Sequence, residues 1–308
     1  MTVPVAIARI LEYESTLLDA ATALVLEEAG GRPGRGQRVL VKPNLVTASN
    51  ARHCTTHPLV VRAACLWLLD HGARVTVADS PAFGPAARVA RASGLAKALA
   101  PLGIKVRTLG RPVPLTLADG TAIGLSRDAL EADLIVNVPK LKVHCQMTMS
   151  GAVKNLFGCV VGFRKALAHH RLGHSPERFR SMIMDVHQAL PRTLHLMDGV
   201  HPLHKDGPVK GAPFELGLLA ASRNGVGLDT AAYSIVGLAP AQVPLWQEAL
   251  RRGMDGAHPA DLAYPLENPA LFDASGMIMS PVRELEFDPV RLLRGRIRSL
   301  LAHLRRSG

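Results

Sequence analysis

The sequence predicts an α/β protein: a mainly parallel sheet or sheets with helices on both faces, arranged as two intimately packed α/β lobes. Three observations predict it. β-Branched or apolar runs at residues 38–42, 74–79, 133–138 and 193–198 are separated by helical spacings of the roughly 10–15 residues that right-handed parallel crossovers use. Each run ends at or beside a polar residue, Lys42, Asp79, Asn137 and Asp198, as strands do where they leave a buried sheet. The 308 residues are 48% hydrophobic, which is enough for a sizeable core.

Taken in order, residues 3–7 read as a short strand, and Leu17, Leu18, Ala21, Leu24 and Val25 as a helix. Gly30, Gly31, Pro33, Gly34 and Gly36 form a loop that precedes a strand; a dinucleotide fingerprint would join a strand to a helix. The next strand ends at Lys42, where Pro43 breaks the run. A helix over 57–71 leads to the strand 74–79, which ends in the turn Asp79-Ser80-Pro81. A helix at 84–99 and a weaker strand near 104–106 follow, then a Gly- and Pro-containing excursion over 109–128. Residues 133–138 are the clearest strand and run straight into Pro139-Lys140. Thr148 or Ser150 can cap a helix starting near Gly151, with Lys154 and Asn155 one turn in. Helical spacing returns at 162–171 and 177–190, and a strand and turn at 193–199 open into a Gly- and Pro-rich loop at 205–211. A strand at 215–221 and helices at 227–237 and 241–252 come next; 254–281 carries no clear signal, and 283–287 and 288–306 read as a strand and a helix. The expected organisation is one α/β domain over 1–250, any division between lobes falling near 125–180. Residues 251–308 form an extension ending in a basic amphipathic helix, its apolar stripe at 293, 297, 300, 301 and 304.

Several function classes find no support. A net charge of +11 invites polyanions, but aromatics are only 4% and no nucleic-acid-binding motif is present, so nucleic acid is not an expected partner. Cys54, Cys65, Cys145 and Cys159 show no Cys-x-x-Cys spacing, which argues against a self-contained iron–sulfur site and against structural disulfides. His169, His170 and His174, and His53, Cys54 and His57, lack an acidic ligand at motif spacing, so no metal is expected. With no signal-peptide pattern and no apolar stretch near 18 residues, the expectation is a cytoplasmic protein without a transmembrane segment.

The chemistry concentrates at residues 139–170. Only nine of the 36 basic residues are lysine, yet Lys140, Lys142, Lys154 and Lys165 all fall here beside a single arginine, Arg164. Lysine is a compact charge that can lose its proton on burial, whereas arginine stays charged. Lys140 and Lys142 are two apart and project to one side of an extended chain. Ammonium groups about 4 Å apart repel by roughly 4 kcal/mol at an effective dielectric near 20. An anion, or a lysine with a lowered pKa, relieves that repulsion. A helix N-terminus at Ser150 and Gly151 adds N–H donors for phosphate or carboxylate. Lys42 and Asn44, Asp79 and Ser80, Asn137 and Lys140, and Asp198 all lie at predicted strand ends, the edge where parallel sheets bind ligands. Asp79 and Asp198 also fit as turn formers or caps. His144 is the candidate for proton transfer, with a packing or capping role as the alternative; Cys145 fits inert packing better than a reactive thiolate.

These blocks resemble a known family. Lys42-Pro43-Asn44, Thr55-Thr56-His57-Pro58, Asp79-Ser80, Pro139-Lys140-Leu-Lys142-Val-His144 and Ser150-Gly151-Ala-Val-Lys154-Asn155-Leu-Phe-Gly158 are similar to the DUF362 family. Lys165, His169, Asp198-Gly199, Gly207-Pro208, Gly211 and Asp229 continue the likeness. The resemblance implies redox chemistry in those members that carry ferredoxin-like cysteine motifs, which this chain lacks, so its cofactor is left unassigned. Two readings follow. One is an enzyme or enzyme-like protein that binds a small carboxylate or phosphate metabolite. Here Lys42, Asn44, Ser80, Lys140, Lys142, Ser150, Gly151, Lys154, Asn155 and Lys165 bind, and His144, Asp79 and Asp198 move protons. The other is a redox accessory protein that docks an acidic iron–sulfur partner such as a ferredoxin.

Overall fold

A computed structural model describes residues 2–161 and 175–280. The expected helix at 162–171, the strand at 283–287, the basic helix at 288–306 and Lys165 lie outside the described residues. The elements are β1 (Val3–Pro4), β2 (Ala6–Arg9), α1 (Ser15–Glu28), β3 (Arg38–Pro43), α2 (Ala51–Cys54), α3 (Pro58–Asp70), β4 (Arg74–Asp79), α4 (Ala86–Ser93), α5 (Leu95–Leu99) and β5 (Val106–Thr108). They continue as β6 (Pro112–Thr116), β7 (Ala122–Ser126), α6 (Arg127–Leu130), β8 (Leu134–Val138), β9 (Lys140–His144), β10 (Thr148–Ser150) and α7 (Ala152–Leu156). After these come α8 (Pro176–Ala189), β11 (Thr193–His204), β12 (Ala212–Pro213), β13 (Leu218–Ser222), α9 (Gly225–Ile235), α10 (Pro244–Arg251) and β14 (Leu262–Ala263).

A ten-stranded sheet organises the chain. β5, β4, β3, β8 and β11 are mutually parallel neighbours, and β13, β2, β10 and β12 add antiparallel pairs. β11 is long enough to pair with β8 at residues 193–195 and with β9 from Asp198 to Leu203. β9 therefore carries the β8 direction beyond the point where the other parallel strands stop. This is a mixed α/β fold with a mainly parallel core, as expected. The 109–128 excursion holds the antiparallel hairpin β6–β7.

Alternation along the strands puts helices on both faces. Val39 and Val41 face Leu18, Val25, Val61 and Leu68 of α1 and α3; Leu40 faces the other way, into a core with Leu156, Met182 and Ile183 of α7 and α8. A third cluster joins Leu141 and Val143 to Met197, Leu218 and Tyr233. With Leu141 and Val143 fixed on that face, Lys140, Lys142 and His144 must point to the opposite one. Ala257, Leu262 and Phe272 are buried in these cores as well.

Candidate functional site

Lys42, the last residue but one of β3, is fully buried, and its ammonium lies 2.7 Å from Asp79 Oδ1 at the end of the neighbouring β4. Asp79 Oδ2 accepts from the Leu45 N–H at 2.8 Å, so the carboxylate also fixes the turn that follows β3. A Cβ at Gly158 would stand 2.5 Å from both Asp79 Oδ1 and Lys42 Nζ, which explains why glycine closes this part of the site. Asn155 ties the strand ends together. Its Oδ1 accepts from Asn44 Nδ2 at 2.8 Å and from Lys42 Nζ at 3.4 Å, and its Nδ2 donates to Asn137 Oδ1 at 2.8 Å. Asn137 in turn donates to the Ala152 carbonyl and lies 2.9 Å from His195 Nδ1. Burial pushes His195 down to about 3 and keeps it neutral.

Lys140 and Asp198 form a second buried pair at 3.0 Å, on adjacent strands of one register. Asp198 also accepts from the Tyr13 hydroxyl at 2.7 Å and the His57 N–H at 2.7 Å. Burial alone would raise its carboxyl; Lys140 and these donors outweigh burial and hold it below the usual range. Tyr13 receives a hydrogen bond from Lys140 at 2.8 Å and stacks on the His57 ring at 3.6 Å, with His201 edge-on at 5.0 Å. His57 Nδ1 accepts from the Leu59 N–H and so caps α3. Burial lowers His57 to about 4, Lys140 and His201 helping and Asp198 opposing, so this ring is neutral near pH 7.

Lys142 has different surroundings. Its Nζ donates to Asn44 Oδ1 at 2.5 Å and to the Cys54 carbonyl at 3.0 Å. Among the described residues no carboxylate lies within ion-pair distance of it. Burial lowers it to about 7; Cys54 and, less, Asp79 oppose this, while Lys154 and Lys140 act in the same direction as burial. Lys140, by contrast, is lowered by burial but supported by Asp198. Burial thus lowers both β9 lysines, and of the two Lys142 is the one without a carboxylate at ion-pair distance among the described residues.

α7 brings Lys154 and Asn155 to this edge, and Asp229 of α9 positions α7. The fully buried Asp229 carboxylate accepts from the Ala152 and Val153 N–H groups at 2.5 and 3.0 Å, two of the donors that a helix start leaves open. Burial pushes Asp229 up to about 7 against those two hydrogen bonds. The α7 N-terminus is therefore occupied by a protein carboxylate. Ser150 donates to the Lys142 carbonyl at 3.2 Å, and Gly151 leaves no room for a Cβ beside Asp229 and Met197. His144 is buried on the same face as the two lysines, and its Nδ1 accepts from the Gln146 N–H at 3.1 Å. Ser80 is half-buried just beyond Asp79.

The loop between β11 and β12 touches both β9, which carries Lys142, and the cap of α2, whose Cys54 carbonyl accepts from it. Gly207 packs on the Val143 carbonyl, and Asn50, the left-handed cap residue of α2, donates to the Val209 carbonyl at 2.5 Å. Asp206, Gly207, Pro208, Val209 and Lys210 line a hollow of about 170 Å³.

Lys42, Asn44, Asp79, Asn137, Lys142 and Asn155 are brought into one polar web, and Lys140 and Asp198 into a second with Tyr13 and the His57 N–H. Tyr13, His201 and the Cys54 carbonyl join these groups without having stood among the expected site residues, and His57, expected only within a family block and a rejected metal set, takes part through its ring and its N–H. Tyr13 lies on a connection outside any motif, and a backbone carbonyl leaves no sequence signature. His57 had a signal, since it precedes Pro58 at a helix start.

The family model described as "Domain of unknown function (DUF362)" matches residues 39–234. The thylakoid-associated protein sll1697 of Synechocystis sp. is 37% identical over 274 residues, which cover 87% of this chain and 85% of that protein. Two solved structures are similar at low identity. The lactate racemase apoprotein from Thermoanaerobacterium thermosaccharolyticum has a TM-score of 0.47 and 16% identity, over 76% of this chain and 57% of that one. A structural-genomics protein from Thermotoga maritima has a TM-score of 0.44 and 13% identity, over 68% of this chain and 54% of that one. The chain thus spans little more than half the length of either.

Proposed function

We propose that this chain, which belongs to the DUF362 family, binds a small carboxylate- or phosphate-bearing metabolite beside Lys142 and Lys154, as an enzyme or enzyme-like protein. The observation that carries the reading is the difference among three buried lysines. Lys42 and Lys140 each have a carboxylate at 2.7 to 3.0 Å, whereas Lys142 has only neutral acceptors. A buried ammonium without a counter-ion gives up its proton, and an incoming anion restores it. In this reading Asp79 and Asp198 act as internal counter-ions that position Lys42 and Lys140, and His144, on the same strand face, is the group that moves a proton on the bound ligand. Asn44, Ser80 and Asn155 orient it. We keep a cytoplasmic location as part of the proposal, although the cyanobacterial relative is named for thylakoid association. Among the described residues no helix is long and apolar enough to cross a membrane.

The test is calorimetry with malonate and sulfate, both essentially fully ionised from pH 7.5 to 9, in buffers of different ionisation enthalpy. At pH 8 Lys142 is mainly neutral, so binding should take up close to one proton, and affinity should fall as pH rises above 7. Lys142→Met should abolish the uptake and weaken binding at least tenfold. Equal affinity across the pH range, or unchanged binding by Lys142→Met, overturns the reading.

A further inference from the structure

The outer end of the ten-stranded sheet is built from a stretch of one charge sign. Residues 80–118 contain no Asp or Glu but six basic residues, Arg88, Arg91, Lys97, Lys105, Arg107 and Arg111. Most of this stretch forms α4, α5 and β5, the last strand of the sheet. Elsewhere Arg38, Arg62, Arg178 and Arg252 each have a carboxylate between 2.8 and 3.6 Å away. Among the described residues none stands at ion-pair distance from Arg74, Lys105 or Arg107.

Strand register gathers these three cations on one face. Val77 pairs with Val106 and Ala78 with Arg107, so Lys105 stands opposite Thr76, and Arg74 lies one step back along the same side of β4. Val75, Val77, Ile104 and Val106 turn to the core that holds α1 and α3, which leaves Arg74, Thr76, Lys105 and Arg107 on the opposite face. All four are exposed. Arg38 lies across from Arg74, but Asp133 already neutralises it. The backbone of β5 is open as well, since among the described residues it has a partner strand on one side only. The Leu109 N–H donates to the Asp79 carbonyl at 3.0 Å. By the alternation of a parallel ladder, Arg107 therefore bonds β4 while the N–H and C=O groups of Val106 and Thr108 face outward.

We propose that β5 is a docking edge for an extended acidic segment of a protein partner, which adds as a further strand with Asp or Glu at alternate positions. Unpaired strand groups are a template for such addition, the main chain supplying affinity and alternate side chains specificity. Residues two apart on a strand share a face and are about 6.8 Å apart, so alternate carboxylates meet Lys105 and Arg107 as cross-strand pairs, with Arg74 one strand behind. Charged edges deter indiscriminate pairing. Here the charge repels a second copy of β5 and selects an acidic strand. Other polyanions fit less well. The face offers Arg, Thr and Lys, with no aromatic ring for bases to stack on. Phe83, the one large apolar residue exposed within 80–118, follows the far end of β4 from Arg74, so no apolar group stands among the cations to enter a bilayer. This edge is separate from the buried lysines of β9, and the two readings stand or fall independently.

The test is fluorescence anisotropy on the whole chain with a labelled peptide that alternates Glu with Val and Thr. It should bind at about 0.02 M salt and weaken at least tenfold by about 0.2 M. Lys105→Glu and Arg107→Glu should each weaken it at least tenfold, and Lys210→Glu, on the loop between β11 and β12, less than twofold. All three side chains are exposed, so the variants keep the fold. Two further peptides carry N-methyl groups, one on the Glu positions and one on the positions between. Their affinities should differ at least tenfold, because only one of the two sets of N–H groups faces β5. No binding of the parent peptide, equal affinity of the two methylated forms, or equal loss from Lys210→Glu overturns the proposal. Phosphatidylglycerol vesicles or single-stranded oligothymidylate that bind more tightly than the peptide, and lose that binding in Arg107→Glu, overturn it too and assign the face to a membrane or a nucleic acid.

Discussion

At the scale of single residues, the two β9 lysines make different predictions about stability. Lys142 is held near 7 in the fold, below the roughly 10.4 of an unfolded lysine. Between those values the unfolded chain binds more protons, so this group makes the protein more stable as pH rises from 7 towards 10, and that gain is lost as pH falls to 7. Denaturant titrations from pH 6 to 10 should show this rise in the wild type and a flatter profile in Lys142→Met; parallel profiles would contradict the assignment. Lys140→Met has a different effect, because it leaves Asp198 buried with only Tyr13 and the His57 N–H as donors. Breaking a buried pair from one side costs about 3–5 kcal/mol. The same titrations should show that loss, and a double variant with Asp198→Asn should lose less than the two single losses combined, because the partners are coupled.

At the scale of elements, the short helix α7 is the one that depends on a distant residue. α7 has five residues and no side-chain cap of its own; the cap comes from Asp229, more than 70 residues away in sequence. Gly151→Ala should therefore push Asp229 off the first N–H groups of α7. We expect a loss of about 1–3 kcal/mol, typical of overpacking, together with weaker malonate binding through Lys154 and Asn155. A variant as stable as wild type with unchanged binding would show that α7 is not held this way. The strands were legible where β-branched residues lie between polar ends, as in β3, β4 and β8. The extended run from Asn137 through Lys140 and Lys142 was legible too, but the full length of β11 was not. Gly199 reads locally as a turn, while pairing of Asp198 with Lys140 and Leu203 with Lys142 keeps the strand extended beyond it. The strand-end polar residues were visible as a set; their pairing of Lys42 with Asp79 and Lys140 with Asp198 depends on strand order, which one sequence does not display.

At the scale of the molecule, the family match at 39–234 does not coincide with what the core requires. α1 supplies Leu18, Val25 and Leu26 to the face that covers β3 and β8, and Tyr13 before it completes the Lys140–Asp198 pair. Beyond residue 234, Trp246 donates to the Ala257 carbonyl at 2.7 Å, and β14 pairs in parallel with β1 through Val3 and Leu262. Phe272 closes the cluster that also holds Leu141 and Val143, the residues that turn Lys140 and Lys142 towards the site. A chain ending at Arg251 would expose Trp246 and remove Ala257, Leu262 and Phe272; burial of large apolar side chains contributes about 1.5–3 kcal/mol each, comparable in total with the 5–15 kcal/mol that holds a typical domain folded. We therefore expect the 1–251 chain to lose its cooperative thermal transition, read by circular dichroism, and to bind an apolar dye at room temperature. If 1–251 instead melts cooperatively within a few degrees of the full chain, residues 252–280 decorate the fold, and the orientation of β9 must be secured by the sheet alone.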